Sequence, residues 1–251
     1  MKKAFLSFLL ALFLSSIVVL GSHKNVYAVV LADIVFVFDE SSSMGNEQDD
    51  VINNLGIFTQ AMIDAGINVQ YGLVGFGWVS TTNPDPFIRL VTDLTNEAGL
   101  VTGLNDLHQI GDTEKGFQAT KFALDNITWR SGAVKNIILI TDEDSDGVEG
   151  GADAALTALN ALWNGIVNFN DFNSPAGNYQ TLAHAHGGEI FDIAAFNADP
   201  SGFISFFAQF KVQEILNNGN GGGPVIPEPS TMLLLGAGLL GFAGLRKKKL
   251  S

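Results

Sequence analysis

Asp33-Ile34-Val35-Phe36-Val37-Phe38, followed at once by Asp39-Glu40-Ser41-Ser42-Ser43, is the stretch on which the reading of this chain turns. The run from Ile34 to Phe38 is uninterrupted apolar sequence, as expected of a parallel strand covered on both faces. At its carboxyl end the chain turns polar, and Asp39, Ser41 and Ser43 offer one carboxylate and two hydroxyls at alternate positions. These are hard oxygen donors, suited to Mg²⁺ or another divalent cation that keeps some of its waters. The carboxyl end of a strand is also where open α/β sheets place their ligand sites. The same residues would serve a solvated Ser-rich turn, with Ser43 or a neighbour capping the next helix. Segments downstream decide between the two.

Outward from this strand, apolar runs alternate with helical patterns, which predicts a doubly wound, mostly parallel sheet of about six strands with helices on both faces. The spacing of Val51, Ile52, Leu55, Phe58 and Met62 predicts a helix over 47–65. A second strand is expected over 69–76 and an edge strand over 87–91. Residues 113–126 read as a helix, and Ile137-Ile138-Leu139-Ile140 is the clearest buried strand. Residues 152–163 are expected to be helical, 166–169 a short strand, 179–186 a helix, 190–193 a last strand, and 203–216 a closing amphipathic helix.

Two further segments bear on the oxygen donors of the first turn. The strand ending at Ile140 runs into Thr141-Asp142, a second carboxylate at a central strand's carboxyl end. The segment Gly111-Asp112-Thr113-Glu114-Lys115-Gly116 offers the Thr113 hydroxyl at the start of a helix, where Thr also serves as an ordinary N-cap. Asp142 alone could equally cap a turn. Three such loops in this order on one sheet make the chain, from about Ala32 to Leu216, resemble a von Willebrand factor type A (vWA) domain with a metal-ion-dependent adhesion site. The family's D-x-S-x-S motif matches Asp39, Ser41 and Ser43, its second-loop threonine Thr113, and its third-loop aspartate Asp142. The resemblance implies a Rossmann-like fold and a bound Mg²⁺, with Mn²⁺ or Ca²⁺ as substitutes. It implies hydroxyls from Ser41, Ser43 and Thr113, with Asp39 and Asp142 acting directly or through waters. A partner's carboxylate would complete the octahedron.

One departure from that pattern is Glu143, where relatives often carry Gly, followed by Asp144 and Asp146. The string Asp142-x-Asp144-x-Asp146-Gly147, with Asp153 further on, partly fits a Ca²⁺ loop. It begins from a buried strand rather than a helix and lacks the closing Glu, so a solvated acidic loop is the better fit. His184 and His186 stand two apart, and on a helix such positions face different ways and do not converge on zinc.

The ends of the chain carry a different kind of information. Residues 1–28 form a signal peptide, with Lys2 and Lys3, an apolar core over 5–20, and Val26-Tyr27-Ala28 as the cleavage site. Residues 29–216 make one domain, and 217–224 a Gly/Asn linker. Residues 225–251 combine Pro227-Glu228-Pro229, an apolar stretch over 231–245, and Arg246-Lys247-Lys248-Lys249. This tripartite tail resembles the PEP-CTERM sorting signal of exported proteins in Gram-negative bacteria. The resemblance implies handling by an exosortase, transient insertion of 231–245 in the inner membrane, and delivery to the cell surface or beyond. The basic end would stay cytoplasmic.

Once the seven Lys and Arg of the two signals are set aside, six remain against all 26 Asp and Glu, a net charge near −20 between residues 29 and 245. Such a surface disfavours nucleic acid. With no cysteine, the exported domain has no disulfide to stabilise it. No G-x-S-x-G, H-E-x-x-H or His beside a nucleophilic Ser is present, so the chain reads as a binding protein and not an enzyme. The function expected is metal-dependent adhesion to a protein or polysaccharide that bears a carboxylate. The alternative is a structural component of an exopolysaccharide matrix, in which the metal only stabilises the fold.

Overall fold

The computed structural model describes residues 29–80, 83–111, 115–145, 150–169 and 175–219. Both terminal signals, the linker from residue 220 onward, Thr113 and Asp146 lie outside the described residues. Six strands form one sheet: β1 (Val30–Asp39), β2 (Ile67–Ser80), β3 (Asn83–Thr95), β4 (Val134–Ile140), β5 (Leu162–Val167) and β6 (Ile190–Asp192). Their order is β3-β2-β1-β4-β5-β6, parallel throughout except for the antiparallel edge pair β2–β3. The doubly wound, mostly parallel six-stranded sheet is as expected. The winding reverses between β1 and β4, and the carboxyl ends of the strands at such a switch point are where open α/β sheets place their ligand sites.

The alternation along β1 explains why its run from Ile34 to Phe38 is apolar without a break. Ala32, Ile34, Phe36 and Phe38 enter one core, under helices α1 (Gly45–Asp64), α6 (Ile193–Ala198) and α7 (Pro200–Asn218). Val35 and Val37 enter the other, under α3 (Gly116–Asn126), α4 (Ala152–Leu159) and α5 (Pro175–Ala185). A strand sandwiched in this way has no wet face on which to place a polar residue.

Several boundaries differ from those the sequence suggests, each for a physical reason. The helix read over 152–163 stops at Leu159, because Asn160 takes a left-handed backbone (φ 48°) that closes it, and Trp163 belongs to β5. A helix α2 (Glu97–Leu104) is added, capped by Asn96, whose side chain accepts from the Gly99 N–H at 3.0 Å. The closing helix α7 runs on through Asn217 and Asn218, which the sequence assigned to the linker. Asn218 Nδ2 donates to the Glu214 carbonyl at 2.8 Å and extends it.

A buried polar cluster fastens α7 to the sheet. The fully buried Lys211 ammonium donates to Asn136 Oδ1 on β4 at 2.8 Å and to the Glu214 carboxylate. Asn164 Nδ2 on β5 donates to the same carboxylate at 3.0 Å. Burial holds the Lys211 pKa below its usual value, and the Glu214 charge partly offsets that. At the amino pole of the sheet, a side chain on Gly219 would crowd Val30 at the start of β1. The domain's first strand and last helix therefore begin and end beside each other.

Candidate functional site

β1 delivers Asp39, fully buried, to the switch point, and the chain turns through a short 3₁₀ segment (Ser42–Met44) into α1. The Asp39 carboxylate is held from two directions. Its Oδ1 accepts from the Ser41 N–H at 2.8 Å, and its Oδ2 accepts from the Thr141 hydroxyl at 2.7 Å. Ser41 and Ser43 hydroxyls lie 3.0 Å apart, and the Ser43 hydroxyl donates to Asp142 Oδ1 at 3.1 Å. Asp39, Ser41, Ser43 and Asp142 are thus gathered at one point, from segments about a hundred residues apart in sequence. Thr113, the fifth residue expected there, lies outside the described residues.

The electrostatics of this cluster follow from its donor set. Burial pushes the Asp39 pKa up to about 6, against the lowering effect of the Thr141 and Ser41 hydrogen bonds, and the Asp142 charge adds to the rise. Among the described residues no Lys, Arg or His pairs with Asp39. No three His, Cys, Asp or Glu side chains converge among them either, so a cation here would meet hydroxyls and two carboxylates. The donor set fits a hard divalent ion: oxygen throughout, partly neutral, with a buried carboxylate that lacks a counter-charge.

A second layer, which the sequence reading missed, holds the first turn rigid. Glu40 sits between Asp39 and Ser41 and is fully buried, but it points away from the cluster. Arg89 on β3 grips both its oxygens (Nη2 to Oε1 at 2.7 Å, Nε to Oε2 at 3.2 Å), and the His108 N–H donates to Oε1 at 2.7 Å. Arg89 also pairs with Asp106 at 3.0 Å. The Ile110 N–H donates to the Glu40 carbonyl at 3.0 Å, and the Ser42 N–H to the Gly111 carbonyl at 3.4 Å. Gln48 Nε2 adds a bond to the His108 carbonyl at 2.9 Å. Loop 105–111 is thereby tied to the turn of Asp39–Ser43. Gly75 on β2 makes room for Glu40, since a side chain there would overlap Glu40 Oε2. Glu40 is therefore a strut beneath the first turn.

Thr141 is the other residue the sequence reading passed over; the signal was a hydroxyl immediately before Asp142 at the end of a buried strand. The two histidines do diverge: His184 Nε2 lies 3.1 Å from Glu189, and His186 Nε2 lies 2.8 Å from Asp153. That second contact occupies Asp153 on α4 with an imidazole, which does not suit its place as the last ligand of a Ca²⁺ loop. Among the described residues no helix is long and apolar enough to cross a membrane.

With the geometry in place, comparison with known proteins is informative. Residues 33–197 match the von Willebrand factor type A domain, and residues 225–248 match the PEP-CTERM protein-sorting motif. The motif marks the chain for export, to the surface or the extracellular space. No curated protein sequence matches the chain. Among solved structures it is similar to proximal thread matrix protein 1 from the mussel byssus, with TM-score 0.54 and 16% identity over 74% of this chain and 48% of that one. It is similar also to a von Willebrand factor type A protein from Catenulispora acidiphila, with TM-score 0.53 and 18% identity over 74% and 43%. The pilus adhesin SpaC from Lactobacillus rhamnosus GG, in its open conformation, gives TM-score 0.52 and 16% identity over 77% and 31%. The chain spans less than half the length of each of these structures, and at such identities the likeness is one of fold. Fold, strand order and sequence match agree, and the chain belongs to the von Willebrand factor type A domain family.

Proposed function

We propose that this chain is an exported binding domain whose adhesion depends on a divalent cation held by Asp39, Ser41, Ser43, Thr113 and Asp142. The observation that carries the reading is the convergence of four of these residues, one of them a buried carboxylate that has no counter-cation among the described residues. Mg²⁺ suits the donor set best, with Mn²⁺ or Ca²⁺ as substitutes. A bound cation would supply an electrophilic position for an external carboxylate. The protein's own residues have separate tasks: Thr141 and the Ser41 N–H orient Asp39, and the hydroxyls of Ser41 and Ser43 with the Asp142 carboxylate would hold the ion. Having only two carboxylates leaves the position short of negative charge and receptive to a third from a partner.

The partner in this reading is a protein or polysaccharide bearing a carboxylate, and the protein acts by binding, not catalysis. The tail would be handled by an exosortase in a Gram-negative cell after transient insertion of residues 231–245 in the inner membrane. A structural role in an exopolysaccharide matrix is the second reading. It is favoured by the net charge near −20 of the exported part, which can bridge through cations without a specific ligand.

Calorimetric titration with Mg²⁺, paired with capture of surface material, separates these possibilities. Wild type should bind about one ion and show a higher melting temperature, and Ser41→Ala/Asp142→Ala should lose both effects. Retained capture of surface material in EDTA would refute the cation-dependent reading. A Mg²⁺-dependent melting shift with no carboxylate-dependent capture would favour the matrix role.

A further inference from the structure

Two large apolar side chains stand in water at the same pole as the oxygen cluster. Ile110 is 62% exposed and Phe169 is 43% exposed. Isolated exposed hydrophobics are ordinary on protein surfaces. These two differ from the others in where the sheet puts them. Ile110 belongs to the loop tied to Glu40, on the β2 side of the cluster, and Glu40 itself bonds to the Phe76 carbonyl of β2. Phe169 follows the end of β5, on the opposite side: Phe38 is level with Ile140, and Ile140 with Ile166, so Val167 ends at the level of Asp39. The cluster lies between β1 and β4. Strands are about 4.8 Å apart, so the lines of β2 and β5, which the backbones of Ile110 and Phe169 adjoin, run on the order of 7 Å to either side of it.

That interval matches an extended polypeptide. Residues two apart in a strand point the same way and are separated by about 7 Å. A central acidic side chain directed at the cluster would therefore set the residues two before and two after it over Ile110 and Phe169. Charge favours the same kind of partner. Four of the six cations between residues 29 and 245 are already spent: Arg89 on Glu40 and Asp106, Lys121 on Asp125, Arg130 on Asp33, and Lys211 on Glu214. A polymer with repeated acidic units would meet a strongly acidic domain, whereas a single acid between apolar neighbours meets little repulsion. The frame is also rigid on one side. Ile110 is fixed by its N–H to the Glu40 carbonyl, and Glu40 by Arg89 and the His108 N–H. An apolar group held out on a fixed backbone loses little freedom on binding.

We propose that Ile110 and Phe169 are specificity-determining shoulders that select, from polypeptide partners, the pattern apolar–x–acidic–x–apolar in extended form. This rests on the cation-dependent reading given above. The test measures binding of the full-length protein to two labelled peptides, Gly-Gly-Leu-Gly-Asp-Gly-Leu-Gly-Gly and the same sequence with Ser for both Leu, and to polygalacturonate, each with Mg²⁺ and with EDTA. In Mg²⁺ the Leu peptide should bind roughly tenfold or more tightly than the Ser peptide, a contrast expected from partial burial of two apolar side chains. In Ile110→Ser/Phe169→Ser the preference should vanish while the Mg²⁺-induced melting shift stays. Equal affinity for both peptides, or no peptide binding beside a normal Mg²⁺ melting shift, would overturn the shoulders and leave the cation site standing. Tighter, substitution-insensitive binding of polygalacturonate would overturn them in favour of a polysaccharide. Absence of any Mg²⁺ effect on melting or binding would overturn the underlying reading as well.

Discussion

β1 carries two buried aspartates, Asp33 near its start and Asp39 at its end, and the protein treats them in opposite ways. Asp33 is given a resident cation. Arg130 donates its backbone N–H to Oδ2 at 2.8 Å, pairs its side chain with Oδ1, and reaches on to the Ala32 and Asn68 carbonyls. Among the described residues Asp39 receives only a hydroxyl and an N–H, with a second carboxylate nearby. The same side chain in the same strand is neutralised from within at one pole and left short of positive charge at the other. In a domain with so few cations this placement supports the proposed ion site: the aspartate without an internal counter-charge is the one to which that proposal assigns an external one.

Breaking the neutralised end should have the largest effect. Arg130→Met would leave Asp33 buried with a backbone N–H alone, and stability should fall by about 3–5 kcal/mol in urea unfolding. Adding Asp33→Asn to that variant should recover much of the loss. The open end should respond to pH instead. The folded-state pKa of Asp39 is raised from 3.8 to about 6, so its contribution to stability is fully present below about pH 4 and is lost as pH rises through about 6. Across that window, in EDTA, wild type should lose on the order of 3 kcal/mol relative to Asp39→Asn. Saturating Mg²⁺ should offset that loss above pH 6, and a flat difference between the two proteins would mean that Asp39 is not strained by burial. The smallest effect is expected from Thr141→Val, which keeps the shape and removes one hydrogen bond to Asp39. It should cost about 1–2 kcal/mol and weaken Mg²⁺ binding by several-fold in calorimetry.

The contrast between the poles was only half legible in the sequence. Strands β1 and β4 announce themselves because burial on both faces leaves no alternative to apolar residues, and Asp39, Ser41, Ser43 and Asp142 are legible as the polar residues where those runs stop. The edge strand β3 was read short, as 87–91 rather than Asn83–Thr95, since an antiparallel edge tolerates polar residues such as Asp93. Trp163 was placed in a helix because apolar spacing continues past Asn160, whose left-handed backbone is what ends α4. The strut beneath the site was not legible at all. Glu40 and Arg89 are 49 residues apart, and no local pattern tells a buried partnered Glu from an exposed one. The same holds for Asp33 and Arg130, 97 residues apart.

The meeting of Val30 and Gly219 at the amino pole has a mechanical consequence. Gly219 sits at one end of the central strand and the oxygen cluster at the other, with the length of β1 between them. A pull between a captured partner and an anchored tail would run along that strand. The tail is joined to α7, so the load would fall in shear on the Lys211, Glu214, Asn136 and Asn164 cluster that holds this helix to β4 and β5. It would not open the strands one after another like a zip. An adhesive domain built this way would sooner release its ligand than unravel.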